Sequence, residues 1–229
     1  MRNVILVGSS GSIGSAIHNE LKDEHVISYS RHTPSTYDNL HHYFDLSQPI
    51  SIEEVEATFK HIETIDCLIY TPGSAYFDML EDTPLHVIDE QYNIQVRNLI
   101  VFIQAALPRL KKSLHGRIVV ISSVYGQIGA SCESVYASMK GAQNTLVRSL
   151  AVEYAGTNIT INAVAPGAVK GKMTNLLSEE DIKVLLEELP QQRLIEPVEV
   201  AKLVNFVLSK ESQSITGEVL NINGGWYTL

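Results

Sequence analysis

The opening twenty residues constrain the fold more than any other stretch. Asn3 to Val7 reads as an apolar strand, and Gly8-Ser9-Ser10-Gly11-Ser12-Ile13-Gly14 follows it at once. A helical pattern then runs to about Lys22. Strand, glycine turn and helix together make a phosphate cradle. The glycines permit the tight turn and close backbone approach, and the helix N-terminus attracts anions. A glycine turn without a ligand is the plain alternative. The position of this one, at the first strand-to-helix turn, favours the cradle. Further apolar runs at His25–Ser30, about His42–Leu46, Ile65–Tyr70, Arg117–Ile121, Ile159–Ala165 and within Thr216–Ile222 alternate with helical patterns. Those patterns cover Ser51–Ile62, Pro84–Lys112, Tyr136–Tyr154, Glu179–Glu188 and Glu196–Lys210. The alternation predicts an α/β, Rossmann-type doubly wound fold. Its sheet is mainly parallel, of about seven strands, with helices on both faces. Thr33 to Leu40 reads as a polar, turn-rich loop.

Length and charge narrow the classes. With 229 residues the chain fits one domain over its whole length. A formal net charge of -9 disfavours nucleic acid or an anionic membrane as partner. No apolar run approaches the roughly 18 residues that span a bilayer. The first strand begins right after Met1-Arg2, so no signal peptide is expected. Cys67 and Cys132 give neither a disulfide framework nor metal spacing, and His41-His42 has no further ligand at a useful distance. No metal is expected, and a reducing cytoplasm is the expected setting.

Two local features carry chemistry. The second strand ends Ser30-Arg31-His32, where a carboxylate would hydrogen-bond the adenosine ribose of NAD. Ser30 removes that carboxylate, and the Arg31 guanidinium is suited to clamp a 2′-phosphate, so NADP is expected over NAD. The second feature runs from Ser122-Ser123-Val124-Tyr125-Gly126 to Tyr136-Ala137-Ser138-Met139-Lys140. Tyr136 and Lys140 share a helical face. Ser123, at a strand end, is placed to meet them. A phenol as proton donor, an ammonium that lowers its pKa and a hydroxyl that holds the substrate oxygen suit carbonyl reduction. A chance YxxxK with a solvated lysine is the plain alternative.

With these residues in place the chain resembles the short-chain dehydrogenase/reductase family from Val4 to Gly225, most of all the 3-oxoacyl-(acyl-carrier-protein) reductases over Gly126–Gly167. The closing Asn221-Ile222-Asn223-Gly224-Gly225 is a strong marker of that family. The resemblance implies hydride transfer between nicotinamide and a carbonyl or secondary alcohol, with Ser123, Tyr136 and Lys140 catalytic. It implies cofactor contacts at Gly8, Ser10, Gly11, Ser12, Ile13 and Gly14, at Asp45 and Leu46 for the adenine, and at Thr71 and Gly73. Further contacts fall at Pro166, Gly167 and Val169, together with Tyr136 and Lys140 themselves. It also implies a substrate lid at about 168–195. The chain departs from the family pattern at four places: Ser12 replaces the middle glycine of the turn, and only Gly73 survives of the usual Asn-Asn-Ala-Gly. Gln95 stands for the proton-relay asparagine, and Gly171 stands for a threonine, leaving Thr174 or nothing in that role. Where NADP-preferring relatives often carry a second basic residue, the turn offers Ser9 and Ser10. Leu114 and Thr157 occupy places where carrier-protein reductases tend to be basic. The expected substrate is a small carbonyl compound or alcohol, or an acyl thioester. A homotetramer is the expected assembly, from the long helices and the apolar tail Trp226-Tyr227-Thr228-Leu229. A catalytically silent nucleotide-sensing or scaffold protein on the same fold is the alternative.

Overall fold

The structure, a computed structural model, describes residues 1–32 and 40–228. The polar loop expected at Thr33–Leu40 therefore lies, but for Leu40, outside the described residues. Strands β1 (Asn3–Val7), β2 (His25–Ser30), β3 (His41–Tyr43), β4 (Cys67–Tyr70), β5 (Gly116–Ile121), β6 (Ile159–Pro166) and β7 (Val219–Ile222) form a sheet. Among the described residues it has seven strands, all parallel, in the order β3-β2-β1-β4-β5-β6-β7. Side chains alternate in direction along each strand. Ile5, Val7, Leu68 and Tyr70 join a core on one face, and Val4, Leu6, Cys67 and Ile69 join a core on the other. The first core is closed by α2 (Ile52–Thr58), α4 (Asn98–Leu110) and α5 (Ser134–Glu153) through Val55, Phe102 and Val147. The second is closed by α1 (Ser12–Glu20) and α7 (Pro197–Val207) through Ile17 and Val204. Burial on both faces is why the strands read as continuous apolar runs.

Strand β1 has β2 on one side and β4 on the other, so the winding reverses beside it. The crevice at the carboxyl ends of such a pair is where ligands bind in open α/β sheets.

Several elements are shorter than the sequence predicts. β3 stops at Tyr43 rather than Leu46, because Asp45 Oδ1 accepts a bond from the Ser47 N–H and turns the chain out of the ladder. α2 is held at its start by a Ser51–Glu54 capping box and ends at Thr58, whose hydroxyl donates to the Val55 carbonyl. The single helix expected over Pro84–Lys112 is three segments: α3 (Leu85–Tyr92), a π-helical turn at Asn93–Arg97, and α4. Neighbouring polar groups hold this junction. Tyr70 Oη donates to the Ile94 carbonyl, and Arg97 donates to the Ile50 carbonyl. Asn98, fully buried, donates to the Leu46 and Gln48 carbonyls at 2.9 Å each and accepts from the Ile50 N–H at 3.3 Å. The helix expected at Glu179–Glu188 is present with those limits, as α6. The tail does not stand free: Trp226 packs edge-on against Tyr125 of its own chain, 5.6 Å between ring centres.

Asn98 ties the loop after β3 to α4, and a leucine of similar volume strands three backbone groups. Asn98→Leu is expected to lower the unfolding free energy by about 3 kcal/mol. Urea denaturation checks this, and a loss under about 1 kcal/mol contradicts it.

Candidate active site

At the end of β1, Gly8 adopts a left-handed φ of +86°, which favours glycine. A Cβ there would overlap Thr71 Oγ1, which donates to the Val7 and Gly8 carbonyls at 2.9 and 3.1 Å. A Cβ at Gly14 would overlap the Gly8 carbonyl. The turn, the end of β4 and α1 are thus packed too closely for side chains. Gly11 precedes α1 and supplies no capping side chain, so the first N–H groups of the helix remain open to an anion. Together the turn and this helix end border a cleft of about 470 Å³. Its walls hold Gly8, Ser10, Gly11, Ser12, Ile13 and Gly14. They also hold Arg31, Asp45, Leu46, Thr71, Gly73 and Val169. Ser30 lines it too, its hydroxyl donating to the His32 carbonyl at 2.7 Å. The tight glycine cradle and the open helix end fit the diphosphate of a dinucleotide. The remaining expected contacts, Pro166, Gly167, Tyr136 and Lys140, line a second cleft of about 420 Å³. Ile13, Thr71, Gly73, Val169 and Met173 line both, so the two clefts are continuous.

Ser123, Tyr136 and Lys140 come together at the base of the second cleft. Ser123 follows β5; its Oγ accepts from the Tyr125 N–H at 3.2 Å and hydrogen-bonds the Tyr136 phenol. Lys140 is 2% exposed. Its Nζ donates to the Ile121 carbonyl at 2.9 Å and to Gln143 Oε1 at 3.1 Å, and lies 5.6 Å from the Tyr136 ring centre. Burial lowers the Lys140 pKa to about 7. Burial also holds the Tyr136 phenol above its ordinary value, against the pull of the Ser123 hydrogen bond, while Glu133 and Tyr125 push it further up. The expected lowering of the phenol by Lys140 is therefore not found here. The ammonium is itself near neutrality, and burial dominates.

Gln95 is fully buried, but its amide does not reach Lys140 by a hydrogen bond. Nε2 donates weakly to the Ser74 carbonyl and Gln91 Oε1, at 3.4 and 3.3 Å. The link runs instead through Gln143. Its Nε2 donates to the Gln95 backbone carbonyl at 2.7 Å while its Oε1 accepts from Lys140. Gln143 was not among the expected site residues. A polar residue three places after Lys140 in a helix, inside a face read as core, was the available signal. Thr174 lines the second cleft, but its hydroxyl is absorbed in its own turn. It accepts from the Gly171 N–H and faces the Val169 and Gly171 carbonyls.

The outer part of the second cleft combines Phe77, Val184, Leu185 and Trp226 with three carboxylates, Glu133, Asp181 and Glu188. Asp181 is engaged in capping α6 through Ser178. Glu133 is half-buried, and burial raises its pKa to about 7. A carboxyl raised in the fold holds its proton longer there than in the unfolded chain. Its ionisation therefore costs stability as pH climbs from the ordinary carboxylate range through about 7. Glu133→Gln is expected to gain stability relative to the unmutated chain between about pH 5 and about pH 8. Thermal melts at the two pH values check this; a mutant-to-parent difference that is the same at both rejects it.

Comparison with known proteins agrees with this architecture. A family model described as enoyl-(acyl carrier protein) reductase matches residues 13–227. The chain belongs to the short-chain dehydrogenase/reductase family. It is an NAD(P)-dependent oxidoreductase acting on CH–OH groups. It is 30% identical, over 99% of both chains, to an uncharacterized oxidoreductase, YmfI, of Bacillus subtilis. It is 35% identical to the 3-oxoacyl-[acyl-carrier-protein] reductase FabG of Escherichia coli, over 81% of this chain and 76% of that one. The ligand-free structure of Thermoplasma acidophilum aldohexose dehydrogenase superposes with a TM-score of 0.90 at 28% identity, covering 98% of this chain and 93% of that one. Among the described residues no helix is long and apolar enough to cross a membrane.

Proposed function

We propose that the chain is an NADP(H)-dependent reductase or dehydrogenase of small carbonyl compounds and secondary alcohols, with Ser123, Tyr136 and Lys140 as its catalytic residues. The observation that carries this reading is the convergence of these three side chains at the base of the second cleft, which is continuous with the first. A bound nicotinamide cofactor supplies or accepts the hydride. The chain's own residues handle the oxygen and its proton. The Tyr125 N–H occupies a lone pair of Ser123 Oγ, whose one hydroxyl proton, turned toward Tyr136 here, swings to the substrate oxygen. Tyr136 Oη gives that oxygen its proton in reduction and takes it back in oxidation. Lys140, held by Ile121 and Gln143, keeps a third donor for the ribose hydroxyls of the cofactor. Residues 168–195 act as the substrate lid on a single domain spanning 1–229.

Exposed, uncharged Leu114 and Thr157, together with the carboxylates of the outer cleft, favour a neutral polar substrate over a thioester on an acidic carrier protein. The 28% identity to an aldohexose dehydrogenase supports that choice. The 35% identity to a 3-oxoacyl reductase supports carrier-linked reduction as the second reading. A panel of aldoses, hydroxyketones and acetoacetyl thioesters, followed by NADPH absorbance, separates the two. Exposed Leu85 and Tyr92 on α3 and Val152 on α5 support a homotetramer, and the setting proposed is the cytoplasm.

Tyr136→Phe is expected to lower kcat at least about a hundredfold while cofactor binding is kept. Rates equal to those of the parent enzyme on a turned-over substrate would falsify the assignment. Arg31→Ala is expected to reduce the preference for NADPH over NADH about tenfold in kcat/KM. An unchanged ratio removes Arg31 from the 2′-phosphate site.

A further inference from the structure

We propose that Lys172 is a phosphate-binding residue of the cofactor cleft, held in place by a latch between Ser12 and Gly171; the proposal rests on the dinucleotide-binding reading above. Beyond β6 the chain crosses the cleft and returns to the first glycine turn. There the Lys172 backbone N–H donates to Ser12 Oγ at 3.2 Å, and Lys172 Nζ donates to the Ser10 carbonyl at 3.2 Å. The approach is close enough to exclude a side chain at residue 171. A Cβ on Gly171 would lie 2.6 Å from Ser12 Cβ and nearer still to Ser12 Oγ. Two departures from the family pattern, serine for glycine at 12 and glycine for threonine at 171, are thus in direct contact. A hydroxyl has in effect moved from the crossing segment to the turn, and the glycine at 171 makes room for the serine at 12.

The electrostatics point to an anion. Lys170 is paired with Glu196 at 3.3 Å, but among the described residues no carboxylate pairs with Lys172. Its ammonium has three donors and makes one bond, to a neutral carbonyl. In a chain of net charge -9 this is an unneutralised cation on the wall of the cleft that also presents Arg31 and the open end of α1. A phosphoryl oxygen beside the turn would take the two remaining donors without backbone movement. Lys172 would then be the second basic residue that Ser9 and Ser10 do not provide, reached from the opposite wall.

Calorimetric titration of the full chain with NADPH and with NADH tests both parts. Lys172→Met is expected to weaken binding about tenfold, with the melting temperature kept. An equal loss for both cofactors assigns the contact to the diphosphate, and a loss for NADPH alone assigns it to the 2′-phosphate. Affinities unchanged for both overturn the role of Lys172. Gly171→Ala is expected to weaken binding on its own and to be relieved by adding Ser12→Gly. A double variant as weak as Gly171→Ala alone, or a Gly171→Ala protein that binds like the parent, overturns the latch. If the unmutated chain binds neither cofactor, the dinucleotide reading itself fails, and the proposal with it.

Discussion

The molecule depends most on burying one ammonium group. Taking a charge out of water costs several kcal/mol unless it is compensated, and both groups that hold Lys140 Nζ are neutral. Hydrogen bonding offsets part of the penalty, and the rest appears as a pKa drawn down to about 7. The geometry that makes this tolerable involves three separate elements. β5 must end so that the Ile121 carbonyl is aimed at the helix. α5 must run so that Lys140 and Gln143 point back at that strand end. The π-helical turn must present the Gln95 carbonyl to the other end of Gln143. Such turns recur at functional sites because they release backbone groups from the regular helical ladder.

The two clefts differ in polarity as well as position. The first is bordered by Arg31, Lys170, Lys172 and the positive end of α1 against two carboxylates, Asp45 and Glu90, and the outer part of the second by Glu133, Asp181 and Glu188 with no arginine or lysine beside them. An extended ligand with phosphates at one end is attracted to one side and repelled from the other. Charge thus favours one orientation of such a ligand.

How much of this was legible beforehand depended on range. Continuous apolar runs and glycine spacing are local signals. They placed the seven strands, the first turn and the Ser123–Tyr136–Lys140 set, the last because one helical turn brings positions 136 and 140 onto one face. Element ends were less legible where a distant or side-chain bond decides them, as Asp45 does for β3 and as Tyr70 and Arg97 do at the junction of α3 and α4. Gln143 was hidden because a buried amide looks like an error in an apolar face until its two partners, on β5's neighbour Lys140 and on the π turn, are seen. Ser12 and Gly171 appeared as two unrelated departures, since nothing in a linear sequence shows that positions so far apart touch. The apolar tail suggested a partner surface, but Trp226 finds its cover on Tyr125 of the same chain.

Thr71 fastens the glycine turn to the end of β4. Its hydroxyl closes on the Val7 and Gly8 carbonyls, and Gly8 keeps its left-handed conformation packed against that side chain. β1, α1 and β2 contain every residue of the turn and bond the Gly8 and Ser9 N–H groups to the Tyr29 carbonyl, but the Thr71 bonds lie outside them. Those bonds need β4 docked beside β1, a non-local parallel pairing of the kind that forms slowly. An excised amino-terminal β-α-β fragment would carry the whole glycine signature and still lack a finished pocket.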